Sequence, residues 1–401
     1  MKRLITLLLF ALILTPLTAQ SPNPKVDAVR QRMQKFVDAG EISGAVVMAG
    51  GRDGVLFQEA IGLADITTNT PMKTDTIFRI ASMTKPITCM GIMILAGEGK
   101  LTPDDPVEKY LPEFKGQMLI TARDKDNKDK VTLGTPERPI TLRDLMTHTS
   151  GLNGTYGKDF PDVYTKRQFT LAETTAGIAK QPLQFAPGSK WSYCNPGIDT
   201  LGRVIEVVSG MSYDTFLKKR IFDALQMQDT TPYPTAGQLA RTAITYAKTE
   251  GKLVPAKNTL IDYVKDAKHP IPAGGLYSTA GNLAKLCTCL LNQGRSGDIQ
   301  VLGRMSLAAM TKTQTGDIKT GFTDGMSYGY GFAVVKEPQG VTAMLSPGTF
   351  GHGGAFGTQY WIDPKQNLYM ILLIQRSNLG NSDGSEIRKE FQRLAVEAVK
   401  K

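Results

Sequence analysis

The spacing of hydrophobic residues changes early in the chain. Apolar side chains recur at helical spacing over residues 26–37, and strand-like apolar segments follow at 44–49 and 55–61, on either side of a turn at 51–54. A period of 3.6 residues indicates an amphipathic helix, and two short apolar segments around a glycine turn indicate a β-hairpin. The sequence therefore predicts a helix followed by a hairpin.

Helical spacing dominates the middle of the chain, and strand-like patterns return near its end. Prolines and glycines separate the helical segments, which are residues 85–95, 142–146, 199–208 and 213–222. The later segments are strand-like at 330–335, 358–362 and 368–375, and helical at 386–399. Strands at both ends of a helical middle favour one sheet assembled from distant segments.

The predicted fold is therefore α/β, of the α+β kind. An antiparallel sheet flanked by helices would form from both ends of the chain, beside an all-helical second region. We place the α/β region at residues 24–85 and 265–401 and the mainly helical region at 86–264, with a site expected in the cleft between them. The polar segment 116–138 is predicted to be an excursion in the form of a small hairpin.

The first residues have the order of a signal peptide. Lys2 and Arg3 precede an apolar run at 4–14, and Ala19 is a small residue suited to cleavage. The run is shorter than the ~20 apolar residues of a membrane-spanning helix, which disfavours the alternative of a membrane anchor. We expect residues 1–19 to be removed near Ala19 and the mature protein to be secreted or periplasmic, without stable membrane insertion.

Charge and composition narrow the classes of function. The formal net charge of +10 falls to +8 if Lys2 and Arg3 are removed. Basic charge can indicate nucleic-acid binding, but export makes nucleic acid a poor partner, whereas an anionic envelope or an acidic substrate remains an alternative. The 4 cysteines and 3 histidines lack the spacing of a disulfide framework or a metal site. We expect buried thiols, no metal and no cofactor.

Ser82 and Lys85 form a Ser-x-x-Lys motif at the start of a predicted helix. Residues three apart share a helix face, so the amine can reach the hydroxyl. Serine is a weak nucleophile until a base accepts its proton, and a lysine with a lowered pKa can be that base. The motif also arises by chance, and the alternative is a serine that caps the helix and a lysine on the surface.

Tyr193 and Asn195 lie two residues apart, just before another helical segment. In an extended segment both side chains point the same way. The phenol could then relay a proton, and the carboxamide could hold a substrate amide or carbonyl. The alternative is an aromatic packing corner followed by an asparagine turn.

A glycine-rich segment, His352-Gly353-Gly354-Ala355, leads into the strand-like residues 358–362. Glycines allow a substrate to approach the backbone closely, and an exposed N–H can face an oxyanion. The alternative is a simple glycine turn before a strand. The segment does not fit a dinucleotide-binding fingerprint, because a strand follows it instead of a helix.

Together and in this order, the three motifs resemble those of the serine β-lactamase and penicillin-binding superfamily. The likeness is greatest to class C β-lactamases, D-Ala-D-Ala carboxypeptidases and family VIII esterases, and it extends over nearly the whole mature chain. It implies a β-lactamase/transpeptidase-like fold and an exported serine hydrolase that becomes acylated on Ser82. The resemblance also implies that Lys85 accepts the serine proton and that Tyr193 passes a proton to the leaving group. It implies further that Asn195 orients the acyl side chain and that the N–H groups of Ser82 and Ala355 form the oxyanion hole.

The third motif departs from the family pattern. Class C β-lactamases usually carry Lys-Thr-Gly there, where the lysine and threonine help to hold a substrate carboxylate, but this chain has His352, Gly353 and Gly354. The missing cation and hydroxyl favour small carboxylic esters or amides over β-lactams. His352 is expected to donate a hydrogen bond to Tyr193 or to the substrate.

Other functions remain as alternatives to ester hydrolysis. Within enzymes these are a β-lactamase, a D-Ala-D-Ala carboxypeptidase or a D-aminopeptidase, so the expected partner is a small-molecule ester, a β-lactam or a D-amino-acid peptide. From another class, the protein could be a penicillin-binding sensor or a pseudoenzyme without turnover.

Two further residues are interpreted as structural. His148 is expected to stabilise a turn. Ser327 lies in a Gly-x-Ser-x-Gly segment like the nucleophile elbow of α/β-hydrolases, but that elbow opens a helix and here a strand is predicted to follow.

Overall fold

The computed structural model describes residues 24–127, 130–256, 261–380 and 382–399. The predicted signal peptide, residues 1–19, lies outside the described residues. The α-helices are α1 (Pro24–Asp38), α2 (Thr84–Gly97), α3 (Leu142–Thr147), α4 (Val163–Lys166), α5 (Leu171–Ala179), α6 (Asn195–Ser209), α7 (Tyr213–Leu217), α8 (Ala236–Leu239), α9 (Ala280–Leu291), α10 (Arg304–Thr311) and α11 (Glu386–Val399).

The strands follow the same chain order. They are β1 (Gly44–Gly51), β2 (Gly54–Asp65), β3 (Thr70–Pro71), β4 (Phe78–Arg79), β5 (Leu119–Arg123), β6 (Val131–Gly134), β7 (Tyr246–Thr249), β8 (Lys252–Pro255), β9 (Tyr277–Ser278), β10 (Arg295–Ser296), β11 (Ile299–Gln300), β12 (Met326–Tyr328), β13 (Ala333–Val335), β14 (Phe350–Gly353), β15 (Gln359–Asp363) and β16 (Leu368–Leu373).

One antiparallel sheet joins the two ends of the chain, as predicted. Its strand order is β12-β13-β14-β15-β16-β1-β2-β3. The pairing of β1 with β16, in which Val46 lies opposite Leu373, connects the first hairpin to the last strands. Both central strands are buried along their whole length, because helices cover both faces of the sheet.

The alternation of side chains along β1 separates two hydrophobic clusters. Ala45, Val47 and Ala49 pack in a cluster with residues of α1 and α11. Val46 and Met48 point to the opposite face and join a larger cluster that includes residues of α2, α6 and α9. Helices α2 and α6 therefore pack on the face of the sheet opposite α1 and α11.

The helical region also contains two short hairpins. The pair β5 and β6 lies within the polar segment 116–138, where a small hairpin was predicted. A second pair, β7 and β8, was not predicted. The last helix, α11, begins and ends at the predicted residues, Glu386 and Val399.

Candidate active site

Ser82 lies in a short 3-10 turn, Ala81–Met83, that runs directly into α2. The preceding residue, Ala81, has a φ of 48°, in the left-handed region that residues with a Cβ rarely adopt. Such strain persists only where the surroundings hold it, and here backbone hydrogen bonds from Ile80 to Leu276 (3.0 Å) and from Met83 to Ile80 (3.2 Å) fix the turn. The strained turn sets the position of the Ser82 hydroxyl.

Lys85 is fully buried and its amine contacts the Ser82 hydroxyl. Nζ lies 3.0 Å from Ser82 Oγ and donates a second hydrogen bond to the carbonyl oxygen of Ala273 at 2.6 Å. Burial lowers the pKa of Lys85 to about 7, and the nearby carboxylate of Asp199 opposes this shift. A substantial fraction of Lys85 is therefore a neutral amine near neutral pH, able to accept a proton.

Tyr193 lies beside Ser82 and Lys85. Its ring lies 4.6 Å from Lys85 Nζ, and burial raises the pKa of its phenol while the neighbouring Ser82 hydroxyl acts in the opposite direction. The ring packs 4.6 Å from that of His148. The structure thus brings the hydroxyl, the amine and the phenol together, although Tyr193 is more than a hundred residues from the other two.

Asn195 is the first residue of α6 and is followed by Pro196, a residue suited to the first turn of a helix. Its side-chain Oδ1 is buried and has no hydrogen-bond partner among the described residues. A buried acceptor without a partner is costly in a protein at rest. A bound substrate N–H could satisfy it.

The glycine-rich segment approaches the Ser82 turn closely. A Cβ added to Gly354 would lie 2.5 Å from the Ile80 carbonyl oxygen, and Thr358 Oγ1 donates to that same oxygen at 3.2 Å. Within the described chain, the N–H groups of Ser82 and Ala355 make no hydrogen bond, and Ala355 is exposed. The first two residues of the glycine-rich segment, His352 and Gly353, belong to the strand β14, so the segment is more than a turn before a strand.

His352 occupies a different environment from the one expected. Its side chain is buried, its Nδ1 lies 2.6 Å from the Gly353 carbonyl oxygen, and its Nε2 lies 3.1 Å from the Tyr328 hydroxyl. Both ring nitrogens therefore have partners other than Tyr193. Burial lowers its pKa to about 3, so the imidazole is neutral.

Tyr328 connects His352 to His148. The Cys194 N–H donates to His148 Nδ1 at 3.2 Å, so the proton of this neutral ring is on Nε2, which lies 3.3 Å from the Tyr328 hydroxyl. The Tyr328 O–H can then donate to His352 Nε2. His148 also ends α3 in the left-handed conformation, as expected of a turn residue, and it holds the segment that carries Tyr193.

Sequence reasoning missed Tyr328, although it lies in the segment compared with a hydrolase elbow. That segment is the strand β12, and Ser327 is buried with its Oγ 3.1 Å from Thr315 Oγ1. The structure therefore gives Ser327 no elbow geometry.

Asp383 was also missed, and it explains one glycine of the third motif. A Cβ at Gly353 would collide with Asp383 Oδ1. That oxygen has no hydrogen-bond partner among the described residues, and its ion-pair partner, Arg388 Nη1, lies 3.8 Å away. Burial raises the pKa of Asp383, and its negative charge contributes to the raised pKa of Tyr193. An acidic side chain therefore occupies the place beside Gly353.

Over the described residues, no group of His, Cys, Asp or Glu side chains is arranged to hold a metal ion. Cys89, Cys194, Cys287 and Cys289 are free and buried, as predicted. No helix in the same part of the chain is both long and apolar enough to cross a membrane.

Comparisons with known proteins agree on one family. The model of the beta-lactamase family matches residues 29–395. Esterase EstB of Burkholderia gladioli is 27% identical over 391 residues, which is 91% of this chain and 93% of the esterase. A putative D-alanyl-D-alanine carboxypeptidase of Escherichia coli K12 is 27% identical over 366 residues, with 84% and 79% of the two chains covered.

A solved structure shows the same fold. The unliganded simvastatin synthase LovD from Aspergillus terreus superposes with a TM-score of 0.74 at 22% identity, covering 94% of this chain and 98% of that enzyme.

Proposed function

The chain belongs to the beta-lactamase family and is a serine hydrolase, and we propose that it cleaves small, uncharged carboxylic esters through an acyl-enzyme on Ser82. The observation that carries this proposal is the 3.0 Å contact between Ser82 Oγ and the amine of Lys85, which is buried and has a pKa of about 7. A hydroxyl in contact with an amine that is partly neutral at physiological pH is an activated nucleophile.

The reaction follows from these positions. The neutral Lys85 amine accepts the Ser82 proton as Oγ attacks the ester carbonyl, and the N–H groups of Ser82 and Ala355 stabilise the oxyanion. Tyr193 passes a proton to the departing alkoxide, which leaves as the alcohol. Water then attacks the acyl-enzyme, giving up its proton to the Lys85 and Tyr193 pair, and the carboxylic acid leaves as Ser82 is protonated again.

The charged groups near Gly353 favour an uncharged substrate. β-Lactams and peptides that end in D-alanine carry a carboxylate close to the scissile bond. Beside Gly353 the protein presents Asp383, and the His352 imidazole is neutral and bonded within the protein. A substrate carboxylate there would lie next to the Asp383 carboxylate, and the nearby cation, Arg388, is already paired with Asp383 at 3.8 Å. The similarity to esterase EstB agrees with this substrate class.

Substitution of Ser82 is the direct test. We expect Ser82→Ala to abolish release of p-nitrophenol from p-nitrophenyl butyrate with an unchanged circular dichroism spectrum. The matched control is Ser327→Ala, which removes the serine of the elbow-like segment and should retain turnover. Wild-type rates from a folded Ser82→Ala protein would refute the mechanism.

A substrate panel separates the alternatives. We expect kcat/KM for p-nitrophenyl butyrate to exceed that for nitrocefin and for a D-alanyl-D-alanine peptide. The reverse order would indicate a β-lactamase or a peptidase. Intact mass after a fluorophosphonate and after a penicillin tests the remaining class: a stable adduct without turnover indicates a sensor, and no adduct indicates a pseudoenzyme.

We also propose that the protein is exported after loss of residues 1–19. The support is the charged, apolar and small-residue order of that segment. N-terminal sequencing of the protein recovered from the periplasm or medium of the producing cells should give a start close to residue 20. An intact Met1 in the recovered protein would contradict export with cleavage.

A further inference from the structure

Asp199 is a fully buried carboxylate on α6, one helical turn after Asn195. Its Oδ1 accepts the N–H of Ala273 at 2.7 Å. Its Oδ2 accepts the hydroxyl of Tyr164 at 2.8 Å and also that of Tyr156. A buried carboxylate is tolerated when donors surround it in this way, and both of its oxygens are engaged here.

Ala273 connects this carboxylate to the amine of Lys85. Its N–H donates to Asp199 Oδ1, and its carbonyl oxygen accepts from Lys85 Nζ at 2.6 Å. The same Nζ lies 3.0 Å from Ser82 Oγ. An unbroken series of short polar contacts therefore runs from Asp199, through the two backbone groups of one residue, to the nucleophile.

The segment that carries Ala273 is strained and held in place. Ile271 has a φ of 55°, which is an outlier for a β-branched residue. The His269 ring accepts the Ile271 N–H at 3.1 Å, and Thr88 on α2 donates to the Pro272 carbonyl oxygen at 2.7 Å. Because such a conformation persists only where its surroundings fix it, removal of one of these contacts should displace the Ala273 carbonyl.

The other groups near Lys85 do not supply a negative charge. They are the buried thiols of Cys89 and Cys194, whose pKa values burial raises, the phenol of Tyr193, whose pKa burial also raises, and the imidazoles of His148 and His352, whose pKa values burial lowers. All of these groups are therefore neutral near pH 7. Among the described groups that shift the pKa of Lys85, the carboxylate is that of Asp199, which supplies the negative charge.

We propose that Asp199 is a positioning residue: through the N–H and the carbonyl of Ala273 it holds the Lys85 amine against Ser82. This role rests on the proposed function, because it concerns the base of the acylation step. Tyr156 and Tyr164 act one step further away, by keeping the carboxylate ionised inside the protein.

The charge of Asp199 has a measurable sign. Burial lowers the pKa of Lys85 to about 7, and Asp199 raises it against that effect. The acid limb of kcat/KM for a neutral ester should therefore have its midpoint near pH 7 in the wild type, with activity lost below it as Lys85 becomes protonated. Loss of the carboxylate charge should move this midpoint to lower pH.

The decisive variant is Asp199→Asn, which keeps an oxygen that can accept the Ala273 N–H. We expect the acid limb of kcat/KM for p-nitrophenyl butyrate to move down by about one pH unit, a usual effect of a neighbouring opposite charge. The activity above pH 8 should fall by less than about tenfold. Asp199→Ala also removes the oxygen that accepts the Ala273 N–H. The kcat/KM measured above pH 8 should then fall by roughly a hundredfold, the expected effect of a misplaced catalytic group.

Thr88→Val is the matched control, because it removes a hydrogen bond to the neighbouring Pro272 carbonyl without changing charge. By displacing the Ala273 carbonyl it should lower the melting temperature and the kcat/KM measured above pH 8, but because the charge of Asp199 is kept, the midpoint of the acid limb should stay where it is. If Asp199→Asn does not fold, Tyr164→Phe serves instead. It weakens the stabilisation of the carboxylate, whose pKa burial already raises to about 6, and should move the limb in the same direction by less.

An acid limb of folded Asp199→Asn that coincides with the wild-type limb would overturn the proposal, as would an equal shift in Thr88→Val. The Ser82→Ala variant distinguishes this failure from that of the proposed function. If Ser82→Ala is inactive and Asp199→Asn is unshifted, only the role of Asp199 is wrong. If Ser82→Ala retains wild-type turnover, the proposed function fails as well.

Discussion

The site has a helical wall, which carries Lys85, Asn195 and Asp199, and a strand wall, which carries Gly353 and Ala355 with Asp383 beside them, and the proton-transfer and substrate-facing groups on these walls differ in how completely they are bonded. On the helical wall, Lys85 bonds to Ser82 and Ala273, and Asp199 has partners for both carboxylate oxygens. On the strand wall, the Ala355 N–H and Asp383 Oδ1 have no hydrogen-bond partner within the described residues, and the same is true of Asn195 Oδ1, the substrate-facing group of the helical wall. The groups that we propose to move protons are thus fully bonded before substrate arrives, and the groups that would face substrate are not.

This difference has a physical reason. Proton transfer needs donor and acceptor in hydrogen-bond contact, so the base must be held by a preformed network. Stabilisation of an oxyanion needs donors that are free until negative charge develops. Substitutions of the proton-transfer groups on the helical wall should therefore reduce turnover of every substrate, whereas substitutions on the strand wall should change the preference among substrates.

The largest effect is expected for Lys85→Met. The variant keeps a long side chain of similar volume but removes the base, so kcat/KM should fall by roughly ten-thousandfold for every ester. The rates of p-nitrophenyl acetate and p-nitrophenyl butyrate, with a melting curve as the folding control, provide the measurement. A loss for one ester only would contradict the uniform role of the helical wall.

Tyr193→Phe should have the next largest effect. The ring remains packed against His148, so the structure should be kept, but the proton relay to the leaving group is lost. We expect a fall in kcat/KM of roughly a hundredfold for esters of poorly acidic alcohols. The fall should be smaller for p-nitrophenyl esters, because p-nitrophenol leaves readily without a proton. An equal loss for both kinds of leaving group would assign Tyr193 to another step.

The helical wall was predictable from local sequence only in part. The contact between Ser82 and Lys85 follows from their separation by three residues on a helix. Tyr193 required the family resemblance, because nothing local places it beside α2. Asp199 lay in a predicted helix, and an acidic residue among the buried apolar positions of α6 is the signal that could have found it. Its partner Ala273 comes from a segment whose position depends on tertiary packing.

The strand wall and the packing helices were less predictable. His352 and Gly353 of the third motif lie in the strand β14 because that strand pairs with β13 and β15, an arrangement that no local pattern encodes. The helix α9 was not predicted, although its less buried residues Gly281, Lys285 and Thr288 recur at helical spacing. Asp383 reaches Gly353 from the turn before α11, a placement that only the assembled sheet determines.

Gly354→Ala tests how closely the two walls must approach. The added Cβ would lie 2.5 Å from the Ile80 carbonyl oxygen and would also meet Thr358, so either the strand or the Ser82 turn must shift. We expect a loss of about 1–3 kcal/mol in the free energy of unfolding from overpacking. Displacement of the Ala355 N–H should lower kcat/KM by roughly tenfold or more. Urea denaturation and ester kinetics measure the two effects, and unchanged kinetics would exclude Ala355 from the oxyanion hole.

The smallest effect, and the most selective, is expected for Asp383→Asn. The substitution removes the charge beside Gly353 while keeping the size of the side chain. A unit charge about 4 Å away in water changes an interaction by about 1 kcal/mol, so kcat/KM for mono-p-nitrophenyl succinate, which carries a carboxylate, should rise by about fivefold. The rate for p-nitrophenyl butyrate should change by less than about twofold, because that ester is uncharged.

Asp53→Asn is the control for net charge in this experiment, since Asp53 is exposed in the turn between β1 and β2. It should leave the ratio of the two rates unchanged. A rise for both esters in Asp383→Asn would show that the charge acts on Tyr193, whose pKa it raises, and not on the substrate. A rise for the charged ester alone would assign substrate selection to the strand wall, with the proton-transfer groups of the helical wall unaffected.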